Sequence, residues 1–154
     1  MGILHAGLAP EIEIAGVRPN LILVAVVLVT ALLGFSAGIG WAFIGGLTAN
    51  LLTVDPLGSV PLILLVVSAF VTGTGRVAGR LTWVFPILAT FVASVIYDVL
   101  SLGLAVLLGQ PLRVGIPFEL VVPAAFLNAA IAGLLVYPAR GIAHRFAPEE
   151  KPAW

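Results

Sequence analysis

The chain has 154 residues, of which 61% are hydrophobic and only 9% charged, with seven basic residues balancing seven acidic ones. Soluble domains carry roughly 25% charge, so this composition and a mean hydropathy of +1.21 exclude a soluble domain and point to an all-α integral membrane protein. The balanced charge has no basic patch with interleaved aromatics, which excludes nucleic-acid binding, and the absence of cysteine removes disulfides, thiolate metal sites and a cysteine nucleophile.

At about 20 apolar residues per crossing the length allows a bundle of five, or six, transmembrane helices in a single domain. Residues 1–18 form no span, since an apolar opening gives way to Pro10, Glu11, Glu13 and Arg18. No charged n-region marks a signal peptide, and Ala6 stands where myristoylation expects serine or threonine. Pro19 suits the first turn of a helix. The run from Leu21 to Leu33 is about 20 Å long as a helix, short of a ~30 Å hydrocarbon core. Two solutions follow. In the preferred one the chain bends at Gly34-Phe35-Ser36-Ala37-Gly38 and makes short spans at about 19–33 and 39–53. In the other, one helix runs to about Ile44 and the rest is re-entrant.

Gly38, Ala42, Gly46 and Asn50 recur every four residues, a small-residue ladder that lets another backbone approach closely, within the chain or from a partner. Asp55, Pro56 and Gly58 then form a turn, with Asp55 either capping the next helix or lying in the turn. A span at about 59–73 ends at Gly73-Thr74-Gly75, followed by Arg76 and Arg80. The longest apolar run, about 82–108, begins beside Trp83, an interfacial anchor. The last span, about 120–138, carries a second small-residue face of Ala125, Ala129 and Gly133 and leads into a basic tail at 139–154 with Arg140 and Arg145. The positive-inside rule places Arg76, Arg80, Arg140 and Arg145 in the cytoplasm together with the C-terminus.

Three polar groups fall inside apolar spans: Asn50, Asp98 and Asn128. An aspartate at the bilayer centre costs about 2.5 to 3.5 kcal/mol on insertion scales, so Asp98 is expected to face protein or water. It has three open readings, as a structural hydrogen-bonding group, a ligand contact or a proton carrier. The two asparagines read as interhelical hydrogen bonds. The glycines around Arg76 lack the lysine and the preceding strand of a phosphate loop. No triad, metal cluster or acid/base pair can be assembled, so no catalytic residue, no metal and no cofactor is expected, and the chain reads as a non-enzyme.

Four pieces stand in order: Gly16-Val17-Arg18-Pro19-Asn20-Leu21 before an aliphatic span, Asp55-Pro56-Leu57-Gly58 after a glycine-rich one, Tyr97-Asp98 in the long span, and Pro123-Ala124-Ala125-Phe126-Leu127-Asn128-Ala129 with Tyr137-Pro138 in the last. Together they resemble MreD, the rod shape-determining membrane protein family. The resemblance implies a bacterial inner-membrane scaffold of the elongation machinery, with an MreC-like bitopic protein as partner and, through it, MreB, RodA and the class B transpeptidase that build lateral peptidoglycan. It also implies an architecture similar to the substrate-binding components of energy-coupling-factor transporters. A small-solute or vitamin-binding transport module is therefore the alternative function. The family's usual aspartate aligns with Asn50, which keeps polarity and loses charge. Family members also carry a full span before Gly16, so either this chain has five crossings, with 1–18 a remnant first helix, or its start is placed late.

Overall fold

The aliphatic run after Asn20 becomes a helix only 13 residues long, and the rest of the chain is arranged around it. The computed structural model describes residues 17–53, 55–78, 83–110 and 118–146. Among them are five helices and no strand: α1 (Leu21–Leu33), α2 (Phe35–Leu52), α3 (Ser59–Val77), α4 (Phe85–Leu107) and α5 (Phe118–Phe146). The last four are long and apolar enough to cross a membrane. The chain is thus an all-α membrane protein. Successive helices run in opposite directions, so the α1–α2 break, the end of α3, the start of α4 and the end of α5 share one end, the Gly34 end. The α2–α3 turn marks the opposite, Gly58 end.

Helix α1 touches each of the other four, whereas α2 touches only α1 and α3, and α5 only α1 and α4. Among the described residues the outer helices therefore follow one another around α1, with no contact between α2 and α5. The faces of α1 follow from its 100° step per residue. Ile22 and Thr30 meet α2, Val26 and Val27 join the main core with α3 and α4, and Val24 and Leu28 pack on Ala132 and Val136 of α5. Leu21, Ala25, Val29 and Leu32 fall on the remaining face and are only half-buried.

Several boundaries differ from those expected. The bend is a single residue: Gly34 has φ 96°, which a side chain rarely tolerates, and Phe35 to Gly38 are already helical. Helix α3 continues through Gly73 and Gly75 to Val77, helped by the Thr74 hydroxyl, which donates to the carbonyl of Phe70 at 2.8 Å. Helix α5 is the longest, because it continues through Pro138 to Phe146. A proline removes one backbone bond, and the turn beyond it is anchored by Arg140, whose guanidinium lies 4.7 Å from the centre of the Trp83 ring. Arg80 and the segments 1–16 and 147–154 lie outside the described residues.

The small-residue ladder of α2 is buried on α1 and α3. A Cβ on Gly46 would stand 2.7 Å from Pro61 Cα, and one on Gly38 would stand 2.9 Å from Thr30 Cβ. Pro61 sits in the first turn of α3, where its missing N–H costs nothing and its ring offers a flat surface. We expect Gly46→Ala to destabilise the chain by about 1 to 3 kcal/mol in detergent thermal unfolding, since it collides with backbone. Gly40→Ala, with nothing within 4 Å of the new methyl, is expected to be neutral or stabilising by up to about 1 kcal/mol.

Candidate functional site

Hydrogen bonding is scarce among these helices, so each polar side chain that crosses between them marks a constraint. Most hydroxyls are satisfied inside their own helix: Thr30, Ser68, Thr72, Thr90 and Ser94 each donate to the carbonyl four residues back, at 2.7 to 2.9 Å. Asn128 is different. Its Oδ1 accepts from the Asn20 N–H at 2.9 Å, and its Nδ2 donates to Ser94 Oγ at 3.0 Å. Asn20 in turn caps α1, its Oδ1 accepting from the Leu23 N–H at 3.0 Å. Asn128 lies about 15 Å along α5 and Ser94 about as far along α4. The N-terminus of α1 therefore opens against α5 within the bundle, and this polar bridge takes up the N–H groups of Asn20 and Leu23 there.

Pro19 precedes the cap instead of occupying the first helical turn, and it is buried. Asn20 was not singled out from the sequence. The signal was available, an asparagine placed immediately before an aliphatic run.

Asn50, 1% exposed, ties the turn that follows its own helix. Its Nδ2 donates to the Asp55 carbonyl at 3.1 Å and its Oδ1 accepts from the Gly58 N–H at 2.6 Å. Asp55 is consequently a turn residue. The N-cap of α3 is Gly58, with φ 90° in the left-handed region, and its conformation aims its N–H at Asn50. Asp98 is half-buried. Neither of the two cavities described below is lined by Asn50, Asp98 or Asn128.

Both small-residue faces are spent inside the chain. Ala42 and Ala125 are fully buried, Ala129 nearly so, and a Cβ on Gly133 would lie 3.5 Å from Ile87 Cδ1 of α4. Ala42, Ala125 and Ala129 are covered by this chain's own helices, and Gly133 is half-buried. Among the described residues α2 and α5 make no contact, and Ala25 and Val29 of α1 lie half-buried between them.

The Gly34 end has its own character. Arg76 and Arg140 lie there with His144, around a cavity of about 560 Å³. Trp83 lies 5.1 Å from Tyr137, with the rings tilted by 56°, and under Arg140, and Arg145 extends from the same end of α5. At the other end a cavity of about 40 Å³ is lined by Asp55, Ser59, Tyr97, Ser101 and Gln110, room for about one water. Among the described residues no group of three or more histidine, cysteine, aspartate or glutamate side chains converges as a metal site.

The family model described as rod shape-determining protein MreD matches residues 1–145, and the chain belongs to that family of shape-determining membrane proteins. No curated protein and no solved structure matches it.

Removing both functions of Asn128 with Asn128→Leu strands the Asn20 N–H and is expected to cost about 1 to 3 kcal/mol in thermal unfolding. For Asn50 the order of stability should be wild type, then Asn50→Asp, then Asn50→Leu. The aspartate keeps the acceptor for Gly58 and loses the donor to Asp55, while leucine loses both. Equal melting of the two variants would show that the Gly58 bond contributes nothing.

Proposed function

We propose that this MreD-family chain is a non-enzymatic scaffold of the cell-elongation machinery that holds the single membrane helix of an MreC-like protein in the gap between α2 and α5. The observation that carries this reading is the exposed face of α1. The most buried helix of the bundle leaves Leu21, Ala25, Val29 and Leu32 half-covered between two helices that do not meet. Helices associate in lipid by close packing instead of by apolar burial, because lipid tails are as apolar as leucine. A groove floored by alanine and valine offers that close packing to one further helix. MreB, RodA and a class B transpeptidase are then reached through the bound partner, and the scaffold supports lateral peptidoglycan synthesis by positioning.

The orientation follows from charge. Arg76, Arg140 and Arg145 gather at the Gly34 end, so the positive-inside rule supports a bacterial cytoplasmic membrane location with that end and the C-terminus in the cytoplasm. The solute-binding alternative has less support. Ligand pockets measure about 300 to 1,000 Å³; the cavity of about 560 Å³ at the Gly34 end is of that size, but none of Asn50, Asp98 and Asn128, the polar residues that reading relies on, lines it.

The test is co-purification in mild detergent with an MreC-like bitopic protein from the same source. A stoichiometric complex is expected, lost in Val29→Trp, which fills the groove floor, and kept in Leu62→Trp, on the exposed face of α3. A complex that survives Val29→Trp moves the interface to another face. Failure to form any complex, together with stabilisation by a water-soluble vitamin of about 2.7 kcal/mol at 100 times its dissociation constant, would replace the scaffold reading by the transport module.

A further inference from the structure

Asn50, Asp98 and Asn128 all lie inside apolar spans, and the fold treats them differently. The two asparagines use both halves of their amides on bonds within the chain. Asp98 is half-buried, and among the described residues nothing hydrogen-bonds or ion-pairs with its carboxylate. It also lines neither of the two cavities described above. The residue stands about 14 Å from the Leu107 end of α4 and about 20 Å from the Phe85 end, so its short side chain reaches neither membrane surface.

The contacts of α4 show where this carboxylate sits. Ile87 meets Gly133, Phe91 packs edge-on against Phe126, and Ser94 holds Asn128. Spaced by four and three, these residues form the stripe of α4 that faces α5, and Asp98 is its next member. The antiparallel register that joins Ser94 to Asn128 sets Asp98 level with Ala124, where α5 offers Val121, Pro123 and Ala124 and therefore no side-chain donor. Beside the seam Val99, Leu102, Val122 and Phe126 are exposed. Lipid satisfies those apolar neighbours. It does not satisfy an acid, which at this depth pairs with protein or water.

We propose that the α4–α5 seam around Asp98 docks a transmembrane helix of another protein that carries a lysine or arginine at the same depth. The cation pairs with Asp98, and the apolar flanks of that helix pack on Val99, Leu102, Val122 and Phe126. A second copy of this chain lacks the complement, because the arginines of α3 and α5 lie near the Gly34 end of those helices. The surface is on the α4 side of α5 and does not depend on what occupies the space between α2 and α5.

The probe is a synthetic leucine–alanine membrane helix with one central lysine, compared with the same helix bearing leucine at that place. The full chain, labelled at its C-terminus, is reconstituted in phosphatidylcholine vesicles, and binding of each labelled helix is read by resonance energy transfer. The lysine helix is expected to bind about tenfold more tightly. Asp98→Leu should abolish the difference, and Asp98→Asn, which keeps polarity without charge, should reduce it. Because the carboxylate makes no bond to the described residues, Asp98→Leu should also leave the melting temperature in detergent unchanged or raise it. A lowered melting temperature overturns the proposal in favour of a structural hydrogen-bonding role. Equal binding of the two helices by the wild type, or a lysine preference that survives Asp98→Leu, overturns it outright. Energy transfer between two differently labelled copies of the chain, lost in Asp98→Leu, overturns it in favour of self-association through this seam.

Discussion

A helix that begins inside a bundle brings its unpaired N–H groups to a place without water, and every such group must find a partner in the protein. In this chain α1 begins at that depth. The side chain of Asn20 takes the Leu23 N–H, Asn128 takes the N–H of Asn20 itself, and Ser94 holds Asn128. Three elements distant in sequence are thereby registered against one another. The depth of α1 then sets everything above and below it. Its far end stops at Leu33, while α3 and α5 continue to Val77 and Phe146, and the cavity lies beside it there.

Packing completes what the polar bridge begins. Apolar helices gain little by leaving lipid for one another, so fit decides which faces meet. Gly46 against the backbone of Pro61 and Gly38 against Thr30 bring α2 onto α3 and α1. Asn50 then closes the turn between α2 and α3 with both halves of its amide. A carboxylate at that position accepts but cannot donate, so the asparagine makes a turn contact that an ionised aspartate cannot reproduce.

The resulting molecule is asymmetric in two senses. Around α1, among the described residues, the outer helices follow one another in contact except for α2 and α5, which do not meet. Along the membrane normal the Gly34 end gathers arginines, Trp83 and Tyr137 around a sizeable cavity, while the Gly58 end holds a cavity of about 40 Å³.

The sequence by itself determined the membrane class, the helical content, the break near Gly34, the turn at Asp55 to Gly58 and the gathering of Arg76, Arg140 and Arg145 near helix ends, because hydropathy, helix breakers and charge act locally along the chain. The four short motifs were also enough to recognise the MreD family. Helix ends were less legible: Gly73 and Pro138 read as stops, yet α3 and α5 run past them, since neighbouring contacts outweigh one weak residue. Only the tertiary structure decided the partners. Spacing alone left the ladder of Gly38, Ala42, Gly46 and Asn50 equally fit for this chain or another. The fold buries it against α1 and α3. The role of Asn128 was similarly hidden, because its bond to Asn20 spans more than a hundred residues and depends on how deeply α1 starts, a quantity set by packing and absent from local pattern.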